Sequence, residues 1–280
     1  MTERLADLSV RIDGIHQLGA VVIAMKGIAA ARARVARAQV TTVDSYAASV
    51  ATAMSSVIGH AEQPTQIATK KDPSKLGLLV FCAEQGFAGA FSERVLDSLN
   101  DNLNPDTLFL IGTRGLSTAN ARGIEPAWNA AMPSQSPLIP KMADGITKAI
   151  YRQVDKGYID HLNVPFTGWT SGRPVVKRQS LFPIDVSDLP TAAGDVPITQ
   201  IPLDSLIDSL SADYFHALIT KAARHAFAAE NQARMEAMST ADSQIERELN
   251  AFSAKLRLVR QEAITAEIIE LGTGAASQMS

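Results

Sequence analysis

Apolar residues early in the chain fall at Leu5, Leu8, Ile12, Ile15 and Val22, and Gly19 completes an alternating three-and-four spacing. That spacing describes the seam of a coiled coil, which is narrower than the apolar face of an ordinary globular helix. No proline interrupts Thr2 to Gly59, and alanine, the strongest helix former, is abundant there. Beyond Val22 the register is expected to blur into small residues around Ala29, Ala30 and Ala31, which let a neighbouring helix approach closely. A helix of about 56 residues would reach about 85 Å, far beyond the usual globular length.

The end of the chain mirrors the beginning. Leu203 to about Ala276 contains no proline, and its clearest seam is Ile245, Leu249, Phe252, Leu256, Val259 and Ala263. Ala222, Ala226, Ala229 and Ala233 keep its earlier part narrow. Neither helix can bury a one-sided stripe alone, so the economical arrangement is an antiparallel coiled coil of the two termini.

Between them the period changes and prolines and glycines concentrate. Leu76 to Cys82 and Thr107 to Gly112 are short apolar runs suited to strands buried on both faces. Phe91 to Leu103 and Pro137 to Lys156 read as helices, and Tyr158 to Phe166 and Val175 to Val186 as later strands. Strand–helix alternation predicts a small Rossmann-like α/β domain with a mostly parallel sheet. The expected division is a helix over 1–60, an inserted α/β domain over 61–202 and a second helix over 203–280.

Composition narrows the function. The net charge of −3 over 280 residues disfavours a strongly basic nucleic-acid binder. The single cysteine, Cys82, excludes an internal disulfide and reads as a buried thiol at the end of an apolar run. No apolar stretch is expected to reach the roughly 20 residues that span a bilayer. Met1 to Asp7 has no hydrophobic signal core, so contact with a membrane would come through partners. His16, His60, His161, His216 and His225 show no metal-ligand spacing. Gly86-Phe87-Ala88-Gly89 follows a strand and precedes a helix, but it is neither GxGxxG nor a P-loop; its glycines fit a tight turn. No catalytic, cofactor or metal constellation emerges.

Three blocks carry a family resemblance. Ile23-Ala24-Met25-Lys26-Gly27-Ile28-Ala29-Ala30-Ala31-Arg32 resembles the Thr-Lys-Ala-Met-x-Met-Val-Ala-Ala-x-Lys block of F-type ATP synthase gamma subunits. Ala229-Glu230-Asn231-Gln232-Ala233-Arg234-Met235-Glu236-Ala237-Met238 resembles that family's Ser-Glu-x-x-Ala-Arg-Met-x-Ala-Met block. Arg260 to Ile268 resembles its Arg-Gln-Ala-x-Ile-Thr-x-Glu-Ile block, and Gly272 to Ala276 its small-residue tail. The chain departs from the family after the first strand. There Cys82 to Phe91 keeps Gly86 and Gly89 but replaces the family's Asp-Arg pair and its cysteine. The late Ala-Thr-Asp-Asn sequence is also altered, at Thr240 to Ser243.

The resemblance implies a rotor shaft without an active site or cofactor of its own. Its partners would be the alpha and beta subunits of the head, the epsilon subunit and the membrane c-ring, at the cytoplasmic face of a bacterial inner membrane. Lys26, Arg32, Arg34 and Arg37 lie in a stretch with no acidic residue between Gly14 and Val43, an electrostatic bearing for acidic beta-subunit loops. Arg260, Gln261 and Thr265 correspond to residues that hydrogen-bond a beta-subunit loop. Gly86, Gly89 and Asp204 would face the ring or epsilon. After Glu270 no charged side chain remains, as suits a tip turning in an apolar collar. The competing reading is a small-molecule-binding α/β protein dimerised by long helices; a coiled-coil scaffold is a third.

Overall fold

The structure, a computed structural model, describes residues 2–58, 75–99, 107–170, 173–185, 189–191 and 198–278. Helix α1 (Thr2–Ile58) is followed by strand β1 (Leu76–Phe81), helix α2 (Phe91–Asp97), strand β2 (Leu108–Ile111), helix α3 (Thr113–Ala121) and strand β3 (Trp128–Ala130). A 3-10 turn (Ser136–Leu138) then runs into helix α4 (Ile139–Asp155), the hairpin strands β4 (His161–Thr170) and β5 (Arg173–Phe182), and helix α5 (Leu203–Gln278). The chain divides into two compact units, Met1–Ile28 with Met235–Ser280, and Ala29–Arg234.

The first unit pairs α1 with α5. Lys26 Nζ lies 3.1 Å from Asp242 Oδ2, Gly19 lies against Ile245, and the Arg11 guanidinium stacks 4.8 Å from the centre of the Phe252 ring. Partners rise along α5 as they fall along α1, so the segments are antiparallel. Leu8, Val22 and Val259 are buried. Ile245, Leu249, Phe252, Leu256 and Ala263 are half-buried among mostly exposed neighbours, as the seam requires. A Cβ on Gly19 would stand 3.3 Å from Ile245 Cγ2, so the glycine sets how closely the helices approach.

Two sequence expectations for α1 need correction. The alternation does not blur after Val22: it continues through half-buried Lys26 to the buried Ala29, Ala33 and Ala36, while Ala31 is exposed. Alanines at the seam had concealed a register that larger residues would have announced. Second, Leu5–Ile58 does include a window long and apolar enough, by length and composition alone, to cross a membrane. Its apolarity comes from two faces. Beside the seam runs a second stripe, Leu18, Val21, Ile28 and Val35, each more than half exposed.

The second unit is built on a five-stranded sheet in the order β3-β2-β1-β4-β5. The first four strands are parallel, and β5 runs antiparallel to β4. Leu79, Phe81, Phe109, Ile111 and Val164 point to a core shared with α4 and with Phe215, Leu218, Ile219, Ala222, Ala226 and Phe227 of α5. Leu78, Val80, Leu108 and Leu110 point the other way, towards α2, α3, Ala229 and Ala233. The continuous apolar runs at β1 and β2 reflect this double coverage.

The middle of the chain differs from expectation in detail. Helix α2 ends at Asp97, and residues 100–106 lie outside the described set, as do His60 and Val186. Strand β4 starts later than expected and extends to Thr170; β5 stops at Phe182, before Pro183. Helix α3 and strand β3 had no sequence signal: α3 buries only Gly115 and Ala119, and β3 has three residues. What places α3 is a close crossing. Gly115 N donates to Ala83 O at 2.9 Å, and a Cβ on Gly115 would stand 2.0 Å from Cys82 Cβ. Gly115→Ala should therefore cost about 3 kcal/mol by overpacking, whereas Gly86→Ala, with open space around it, should be near neutral. Chemical unfolding of the two variants of the full chain checks this contrast.

Candidate partner-binding surfaces

Arg260, Gln261 and Thr265 are all exposed on α5, next to the buried seam residue Val259. The Thr265 hydroxyl donates to the Gln261 carbonyl at 2.9 Å, so its proton is committed to its own helix while its oxygen can still accept. Leu258, Ile264, Ile268 and Ile269 lie around these residues and are 52–64% exposed. Apolar groups at this density on a two-helix coiled coil form the kind of patch found at interaction surfaces. The side chains from Glu270 onwards, where the uncharged tip was expected, lie outside the described set.

The basic residues do not act alike. Lys26 is paired with Asp242, so its charge is largely answered within the chain. Arg34 and Arg37 are exposed, and Arg37 Nη2 donates to Gln232 Oε1 of α5. Arg32 is half-buried in a groove with Val35, Ser134 to Pro137 and Phe227. Three of the four cations thus remain available to an acidic partner.

Gly86 and Gly89 lie in the turn between β1 and α2. Gly89 has φ +57°, and Phe87, 66% exposed, also takes a left-handed backbone at +62°. Asp204 is exposed in the first turn of α5. The structure does not bring these groups together. The Gly86 carbonyl accepts from Arg234 Nε at 3.1 Å, and from Asp204 to Arg234 α5 runs about 45 Å at 1.5 Å per residue. The β1–α2 turn is instead level with the Arg37–Gln232 contact.

That turn is held by residues to which sequence reasoning gave no role. Glu230 Oε1 accepts from the backbone N–H groups of Glu84 and Gln85 at 3.1 and 3.4 Å. Arg234 Nη2 donates to the Gln85 carbonyl at 3.1 Å and to Glu230 Oε1 at 2.5 Å. Burial pushes the Glu230 carboxyl upward, opposed by the Arg234 charge and the two loop amides. The Glu-x-x-x-Arg spacing within the Ala229–Met238 block was the available signal: one helical turn between opposite charges.

Glu84 closes the carboxyl edge of the sheet, where open α/β folds hold ligands. Its carboxylate accepts from Thr113 N at 2.9 Å, Thr113 Oγ1 at 2.8 Å and Met132 N at 2.8 Å. An internal anion therefore sits at the N-terminus of α3, which argues against the small-molecule reading. Cys82 is buried, and desolvation, reinforced by Glu230 and Glu93, raises its pKa to about 12, so it is no nucleophile. His161, His216 and His225 each lie near a single aspartate: Asp160, Asp144 and Asp44.

A family profile described as ATP synthase matches residues 4–277. The ATP synthase gamma chain of Moorella thermoacetica is 26% identical over 277 residues, covering 97% of this chain and 98% of the relative. That of Chlorobium luteolum is also 26% identical, over 97% of each chain. The chain belongs to the ATP synthase gamma-chain family. As a gamma chain it is the rotor-shaft subunit of the complex and not one of its catalytic subunits. Solved structures agree in fold. A chain of the Euglena gracilis mitochondrial ATP synthase in rotational state 3 matches at TM-score 0.65 and 14% identity, over 99% of this chain and 95% of that one. One from the Tetrahymena thermophila central stalk and c-ring matches at TM-score 0.57 and 16% identity, over 79% and 99%.

In this gamma chain, Glu84→Ala should destabilise the second unit by about 1 kcal/mol, because the part-buried Met132 amide loses its acceptor while the exposed Thr113 groups turn to water. Glu84→Gln, which keeps one amide oxygen, should lose less. Urea unfolding of both variants checks the order.

Proposed function

We propose that this gamma chain turns inside a head of alpha and beta subunits and links ion flow through a membrane c-ring to ATP synthesis or hydrolysis on the beta subunits. It would work peripherally at the cytoplasmic face of a bacterial inner membrane, with epsilon beside it. Shaft angle biases nucleotide affinity at each catalytic site, and nucleotide occupancy biases shaft angle by the same coupling free energy. The observation that supports this most is the first unit's surface: Arg260, Gln261 and Thr265 exposed among uncovered leucine and isoleucine side chains.

The apolar groups suit a collar that excludes water without fixing an angle. The polar three suit a beta-subunit loop that is gripped in one rotational state. A hydrogen bond to a charged group contributes about 1.5–3 kcal/mol, enough to favour an angle and little enough to break at each step. Arg32, Arg34 and Arg37 form the bearing for acidic beta-subunit loops, and Lys26 contributes less because Asp242 neutralises it. Asp204 belongs to the ring and epsilon side. Gly86 and Gly89, level with Arg37, belong with the head-facing set.

Gln261→Leu and Arg260→Leu should each leave α5 intact and the complex assembled, but lower multisite ATP hydrolysis relative to single-site hydrolysis. An unchanged ratio in both variants would make these ordinary surface positions. Single neutralisations at Arg32, Arg34 or Arg37 should change little, since exposed charges are each worth under about 1 kcal/mol. The triple Gln variant should lower ATP-driven ion pumping more than it lowers assembly. Full pumping in the triple variant would reject the bearing.

A further inference from the structure

Glu230 and Arg234 lie one turn apart on α5 and are 3% and 6% exposed. A buried ion pair is weak evidence for stability, because desolvation offsets the attraction; apolar residues of similar size commonly do as well. Its directional bonds do something that apolar packing cannot: they fix position and angle. Here they all converge on one segment. Glu230 Oε1 holds the amides of Glu84 and Gln85, and Arg234 holds the carbonyls of Gln85 and Gly86 through Nη2 and Nε. Arg234 Nη1 donates to Asn231 Oδ1 at 3.3 Å, and Asn231 Nδ2 returns to the Phe227 carbonyl, so the guanidinium is itself braced on α5. A planar guanidinium bonded along two edges resists rotation as well as translation.

The first residues of the segment are also tied to α2 and α3: Ala83 N donates to Ser92 Oγ, Gly115 N and Arg114 N donate to the carbonyls of Ala83 and Glu84, and the Glu84 carboxylate holds Thr113 and Met132. From Gln85 to Gly89, the bonds that the described residues show come from the pair on α5. From Cys82 to Ala90 the chain is irregular, with left-handed backbone at Phe87 and Gly89 and open space around Gly86 and Gly89. Phe87 projects from it, 66% exposed. Without the clamp, a force on Phe87 or its neighbours would bend the turn about β1 and α2. With it, the force reaches α5, a single helix from Leu203 to Gln278.

We propose that the Glu230–Arg234 pair is the torsional key of the subunit, joining the β1–α2 turn rigidly to α5 so that load on the turn rotates the helix instead of bending the turn. Both residues are positioning residues, and their role rests on the rotor reading above.

The test uses the assembled ATP synthase carrying this chain with Glu230→Ala, Arg234→Ala or Glu230→Gln. Three quantities are measured: ATP hydrolysis, ions pumped per ATP hydrolysed, and hydrogen exchange at the Glu84 and Gln85 amides. Glu230→Ala and Arg234→Ala should speed exchange and lower ions pumped per ATP about fivefold, the scale of a modest coupling between two sites. Hydrolysis should stay within about twofold, because the exposed groups proposed to meet the beta subunits, Arg260, Gln261 and Thr265, are unchanged. Glu230→Gln, which still offers an oxygen to both amides, should fall between them and wild type. A wild-type pumping ratio together with fast amide exchange would overturn the proposal. So would a loss of assembly in Glu230→Gln as well as Glu230→Ala, since the pair would then be needed simply to fold. A wild-type chain that fails to join or couple the complex would instead overturn the rotor reading.

Discussion

Neither α1 nor α5 can bury its apolar stripe without the other, and the separation between them is set by small side chains. Gly19 against Ile245 and the buried Ala29, Ala33 and Ala36 show the same device at successive levels of α1. Small residues contribute little apolar area each, so this seam is not a large source of stability per turn. They let the backbones come close and leave few side-chain degrees of freedom to be lost on packing. A slender pair also needs less room inside any surrounding collar, and it leaves the outer faces of both helices free to carry other information. On α1 that information is a second apolar stripe and a one-sign run of charge; on α5 it is the polar group around Gln261.

The α/β unit depends on the same helix. Phe215, Leu218, Ile219, Ala222 and Phe227 of α5 are part of the sheet's own core, and Ala229 and Ala233 help to cover the opposite face. The sheet is therefore built against α5 and not merely tethered to it. Apolar contacts of this kind resist separation well but have shallow angular preferences. The Glu230–Arg234 pair supplies directional bonds where the irregular β1–α2 turn meets the helix.

What was legible in the sequence divides along the same line. The two seams, the strands at β1 and β2 and the helix at α4 were readable because their signals are local periodicities of three to four residues or continuous apolar runs. The three quoted blocks located the family because they combine buried small residues such as Ala29 and Ala233 with polar ones such as Glu230, Arg234 and Gln261 that apolar packing alone does not dictate. Helix α3 was not readable, since it is placed by the contact of Gly115 with Cys82, a pair distant in sequence and joined by no pattern. The extension of the α1 seam was missed for a related reason: an alanine looks the same in sequence whether it is buried or exposed. Glu230 and Arg234 were quoted as a match, but their partners are backbone groups near residue 85, which no spacing rule connects to them. Gly86 and Asp204 were expected to face the same partners, but Gly86 is bonded to Arg234, about 45 Å along α5 from Asp204.

The arrangement bears on how a rotor can be both stiff and free. Stiffness along a path that carries load calls for buried contacts: the seam and the sheet core resist separation, and the Glu230–Arg234 bonds add direction. Freedom is needed where the surface meets other proteins, and there the groups are exposed, so that each contact is worth little and breaks readily. Lys26 shows the difference within one short stretch. Its pairing with Asp242 withdraws it from the outer face, whereas Arg34 stays exposed on that face. A shaft whose outward cations were all paired internally would present no field to an acidic partner. One whose inner polar groups were all unpaired would yield at the turn before it moved the helix. The division between internally satisfied and outwardly available groups is thus the physical content of a part that must transmit torque without binding any single orientation tightly.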